Sequence, residues 1–89
     1  MNIKKNIALS DTGFVFNPSS GDSFSTNPIG MEIIKMLKEG KSNEDIKNHV
    51  LKTYMTDETS FEKDLYDFIN MLAKMNLMDV EEKNEKKEN

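Results

Sequence analysis

The apolar residues of this 89-residue chain change their period once, at Thr26-Asn27-Pro28. Upstream they alternate, as a half-buried strand requires; downstream they recur every three or four residues, as a helix face requires. In NIALS, Ile7 and Leu9 share one face, with Ala8 and Ser10 on the other. In GFVFN, Phe14 and Phe16 share a face and Val15 lies opposite. DSFST alternates again, with Phe24 as its single large apolar residue. The connections DTG and PSSGD consist of residues that turn the chain locally. The pattern predicts an antiparallel three-stranded meander. Strands of about 4–6 residues cannot stand alone, so helices must cover the apolar face.

Those helices are legible downstream. Asn27 is placed to cap a helix whose first residue is Pro28, where a missing N–H costs nothing. Ile29, Ile33, Met36 and Leu37, with Ile34 alongside, form its apolar face, and Gly40 marks its end. Ser42 and Asp45 outline a capping box for a second helix carrying Ile46, Val50 and Tyr54. Thr59 and Glu62 outline a second box after the loop MTDE. Phe61, Leu65, Phe68, Leu72 and Met75 then recur at intervals of 4, 3, 4 and 3, with Ile69 and Met71 widening the stripe. Asn76 is placed to end the helix in a left-handed conformation, after which Leu77, Met78 and Val80 return to the body. The expected class is α+β: a three-stranded antiparallel sheet followed by three helices, winged-helix-like. One domain is expected over residues 1–80. Residues 81–89, EEKNEKKEN, have no apolar side chain with which to offset ordering entropy and read as a charged disordered tail.

Composition narrows the function. A fold this small buries only about 60% of the surface its unfolded chain exposes, so a large internal active-site cavity is not expected. The chain has no Cys, which removes disulfide scaffolds and Cys-rich zinc modules. Its twelve cations are all Lys against sixteen acids, a net charge of −4. That balance argues against nucleic acid, whose phosphates call for a surplus of Lys and Arg. The tail accounts for −1 and residues 1–80 remain at −3. No apolar run reaches the ~18 residues of a transmembrane helix, nor the roughly 7–15 of a signal peptide core. A cytoplasmic protein without membrane contact is expected.

Catalytic groups are sparse. His49 is the single histidine and sits on the second helix. Ser19 and Ser20 belong to a turn, and Asp64 and Asp67, three residues apart on the last helix, suit a solvated face better than a carboxylate pair. No Gly-rich phosphate loop or metal-ligand spacing is present. Neither an enzymatic activity nor a cofactor is expected.

Two features suggest binding instead. The third strand is short, polar and last in the meander, hence an edge that Ser23, Ser25 and Thr26 do not protect as lysines would. A guest peptide can add there as a further strand. The last helix also has more apolar residues than one face hides, which suits a partner surface or a homodimer interface. Methionines 31, 36, 55, 71, 75 and 78 fill core gaps or line such a groove.

The run SFSTNPIGMEIIKMLKEGKSNEDIKNHVLKTYMTDETSFEKDLYDFINMLAKMNLMDV resembles the PqqD family of pyrroloquinoline quinone biosynthesis, the peptide-recognition element of ribosomally made, modified peptides. The likeness covers about residues 6–80. It lies in the order and spacing of a small sheet, the capped helix from Asn27 to Leu37, the Gly turn from Gly40 to Ile46, and a long helix closing from Leu72 to Leu77. Asn76 stands where the family close has Gly. The resemblance implies a non-catalytic peptide chaperone that binds the leader of a precursor peptide and presents it to a modifying enzyme, often a radical SAM protein. Some relatives accompany kinases related to HPr kinase. Carried onto this chain, the leader adds to the strand Asp22, Ser23, Phe24, Ser25 and Thr26 and packs on Phe61, Leu65, Phe68, Ile69 and Leu72. The competing readings are a winged-helix nucleic-acid binder using Lys47 and Lys52, a dimerisation module and a small enzyme.

Overall fold

A computed structural model describes residues 2–79. The order is β1 (Asn2–Ile3), β2 (Ala8–Leu9), β3 (Phe14–Asn17), β4 (Asp22–Ser25), α1 (Pro28–Lys38), α2 (Asn43–Thr53), α3 (Glu58–Lys74) and β5 (Met78–Asp79). The expected meander is present as β2-β3-β4, with β4 at one edge. A second, two-stranded sheet pairs β1 with β5, Asn2 opposite Asp79 and Ile3 opposite Met78. The alternation rule misses it because two residues have no period to read. Its strands form only where the two ends of the fold meet. Val80 and the tail lie outside the described residues.

The helix ends obey local chemistry. Asn27 caps α1 by accepting from Gly30 N at 2.8 Å, and Gly40 leaves it at φ +82°. Ser42 and Asp45 complete their capping box on α2. The third start is different. Asp57, not Thr59, caps α3, accepting from Ser60 N at 2.9 Å. Its carboxylate satisfies an orphan N–H of the first turn and also suits the positive end of the helix. Glu62, free of a capping role, turns to Lys47 instead. Asn76 adopts φ 64° at the close of α3, as expected of a left-handed terminator.

The helices cover one face of the three-stranded sheet. Val15 is 1% exposed, whereas Phe14 and Phe16 on the other face are 54% and 42% exposed. The core joins Ile3, Ile7 and Val15 to Ile34, Leu37, Ile46, Val50 and Leu72. Asn17, the one buried polar residue among those described, holds the β3–β4 hairpin by accepting from Ser19 N at 3.0 Å. No described helix is long and apolar enough to cross a membrane.

Candidate functional site

The pleat of β4 decides what its free edge offers. Ser25 stands opposite Phe14, Phe24 opposite Val15 and Ser23 opposite Phe16. Thr26 N donates to Gly13 O at 2.9 Å. In an antiparallel ladder hydrogen-bonded pairs alternate with non-bonded ones. The inward groups are therefore those of Phe24 and Thr26. The N–H and C=O of Ser23 and Ser25 point away from the sheet and have no backbone partner among the described residues. The side chains divide oppositely. Ser23 and Ser25 lie with Phe14 and Phe16 on the outer face, while Asp22 and Phe24 share the inner face with Val15.

Beside this edge runs a trough with two hollows. The larger, about 480 Å³, lies between the end of β4, the first turn of α1 and the first half of α3. Thr26, Ile29, Ile33, Phe61, Leu65 and Phe68 wall it, and Asp64 brings a carboxylate. The smaller, about 250 Å³, lies at the other end of β4 and is lined by Asp22, Ser23, Phe24, Met75 and Leu77, with Val15 and Asn17. Close packing shapes the larger hollow. A Cβ on Gly30 would stand 2.0 Å from Thr26 Oγ1, so only glycine lets the first turn of α1 come this near.

The residues expected at the site fall into two groups. Asp22, Ser23, Phe24, Ser25 and Thr26 border the trough, as do Phe61, Leu65 and Phe68 on α3. Phe68 is half-buried, whereas Phe61 and Leu65 present little surface beyond the wall. Ile69 and Leu72 belong to the core and line neither hollow; Leu72 is 0% exposed. On a helix of 3.6 residues per turn, the stripe 61-65-68-72-75 spirals from core to trough, so spacing alone does not separate the two. Ile29, Ile33, Asp64 and Met75 also line the trough, as do Asn27, Gly30, Val50 and Thr56. Asp64 had a readable signal, since it precedes Leu65 and lies four residues before Phe68 on the flank of that stripe.

The other flanks are bridged by polar clusters, with a hollow of about 220 Å³ beside Lys47 and Glu62. Lys47 on α2 reaches Glu62 at 3.1 Å and Glu58 at 3.2 Å on α3, and Glu44 at 3.5 Å on its own helix. The bonds to Glu62 and then Glu58 hold its ammonium well above the usual lysine range. Between α1 and α2, Glu32 accepts from the hydroxyl of Tyr54 and from His49 Nε2 at 2.6 Å. An ionised carboxylate has no proton to give, so Nε2 carries the hydrogen. The Tyr54 bond first, then His49, lowers the pKa of Glu32, and the same bond raises that of Tyr54. His49 thus has a structural partner. Asp67 pairs with Lys63 at 2.9 Å, one helical turn away.

An open strand edge beside apolar hollows, on a small sheet backed by three helices, is an arrangement to which an extended peptide can add as a strand. The model of the family PqqD, described as coenzyme PQQ synthesis protein D, matches residues 12–78, and the chain belongs to that family. Among solved structures, it is similar to TbiB1 in complex with the TbiA(beta) leader peptide, with TM-score 0.80 and 28% identity over 92% of this chain and 99% of that one. A lasso peptide synthetase B1 complexed with the leader peptide gives TM-score 0.74 and 22% identity, over 85% of this chain and 93% of its own. That second likeness is one of fold. No curated protein matches the sequence.

Proposed function

We propose that this domain binds the leader segment of a ribosomally made precursor peptide as a strand added to β4, and presents it to a modifying enzyme without catalysing a reaction itself. The observation that carries this reading is the free edge of β4, with the outward amides of Ser23 and Ser25 beside an apolar trough. Main-chain bonds supply affinity in strand addition, and pockets for alternate side chains supply specificity. The leader named in the TbiB1 complex supports the same class of ligand. In this reading Ser23 and Ser25 act through their backbone. Phe24, Thr26, Phe61, Leu65 and Phe68 take up apolar side chains, and Ile69 and Leu72 hold α3 in place behind them. The enzyme served is of the radical SAM type if the pathway is that of pyrroloquinoline quinone or a relative.

The test is an NMR titration of the full chain with the leader of a precursor encoded beside its gene. Shifts are expected along residues 22–27 and on the trough side of α3. Shifts on α2 with duplex DNA, fading as salt rises, would instead mean a nucleic-acid binder. Ser25→Pro sharpens the result. It removes one outward N–H while sparing the β3–β4 ladder, since edge strands tolerate proline. Leader binding should fall at least tenfold in a chain that still folds.

A further inference from the structure

The trough is acidic as well as apolar. Asp22 lines one hollow and Asp64 the other, and no lysine lines either. Neither carboxylate has an ion pair or a side-chain hydrogen bond among the described residues. Elsewhere on α3 the acids are engaged: Glu58 and Glu62 by Lys47, Asp67 by Lys63. Among the described residues Asp64 is thus the one acid of α3 without an ion pair, and Asp22 at the start of β4 has none either.

The pleat turns this into a register. An added strand that bonds to Ser23 and Ser25 places its residues opposite Asp22, Phe24 and Thr26 in non-bonded pairs, where facing side chains are closest. These residues point to the trough. Antiparallel addition, the more stable pairing per residue, sets the guest residue beside Thr26 four positions N-terminal to the one opposite Asp22. The hollow beside Thr26 is large and mostly apolar.

We infer that the segment recognised here carries a large apolar residue seated beside Thr26 and a Lys or Arg four residues later, opposite Asp22. This rests on the strand-addition reading and adds the chemistry of the guest. A directly opposed charge pair across two strands changes affinity by about twofold to fivefold.

The experiment is selection from a random twelve-residue peptide display library on the full chain, with Ser25→Pro as counter-selection. Among clones that bind the wild type and not the variant, Lys or Arg should be enriched at least threefold at the fourth position after the apolar anchor. Repeating the selection on Asp22→Lys should move that enrichment to Asp and Glu. Edge-dependent clones with no cation preference at that position would overturn the inference and leave strand addition standing. The reverse order, cation before anchor, would also overturn it. If no clone depends on the Ser25 amide, both readings fall.

Discussion

Helix α3 has two flanks that differ in how they are finished. Toward α2 its rim is bridged by Lys47, which gathers Glu58 and Glu62 beside a shallow hollow of about 220 Å³. Toward β4 the apolar residues continue, but no polar bridge crosses the gap among the described residues, and hollows of about 480 and 250 Å³ remain. Both flanks belong to one helix with one apolar stripe. What distinguishes a seam from a site is whether polar groups at the rim satisfy each other. On the α2 flank Lys47, Glu58 and Glu62 do. On the open flank the outward backbone groups of Ser23 and Ser25 and the carboxylates of Asp22 and Asp64 have no such partner among the described residues.

Four measurements break or sharpen this contrast. Leu72→Ala should have the largest effect, about 2–5 kcal/mol of stability in urea unfolding, because a fully buried leucine beneath both flanks is replaced by a void. Loss of under 1 kcal/mol would mean that α3 is not the shared support. Phe68→Ala comes next and should separate the flanks. Leader affinity should fall by about 2 kcal/mol, roughly thirtyfold, by calorimetric titration. Its stability should change less than that of Leu72→Ala, since Phe68 is only half-buried.

Glu32→Gln probes the sealed α1–α2 seam through pH. The carboxyl pKa of Glu32 is held below its ordinary value of 4.5 by Tyr54 and then His49. A depressed folded pKa contributes stability above the unfolded pKa, and that stability is lost as pH falls through the folded pKa. The wild type should therefore exceed the variant in thermal midpoint above about pH 5, and the gap should close as pH drops below 4.5. The effect is modest because the side chain is 36% exposed. Lys47→Met should be the smallest change: a slight fall in midpoint that shrinks with added salt, with leader binding untouched. A large loss of binding would mean that the two flanks are coupled.

The fold was largely legible in residue order. The shift of period at Thr26-Asn27-Pro28 separates sheet from helices, and the Asn27, Ser42, Gly40 and Asn76 signals act within a few residues of themselves. Local chemistry suffices there because a cap or a left-handed turn involves only neighbours. The third helix start was misplaced because Asp57 and Thr59 both offer an N-cap oxygen, and only the path of the chain from Tyr54 chooses between them. Alternation divided Phe14 and Phe16 from Val15 correctly, but which face the helices cover depends on where α1 and α3 pack.

For the site, sequence by itself determined the ingredients: a short serine-bearing edge strand, a helix with surplus apolar residues, an acidic chain without arginine. Tertiary structure decided how they are used. It buried Leu72 and Ile69, left Phe68 on the trough, paired β1 with β5, and put Asp22 and Asp64 in two hollows at opposite ends of β4. The physical reason is range. Periodicity and capping are set by bonds between near neighbours, whereas burial and rim chemistry depend on which distant surfaces meet.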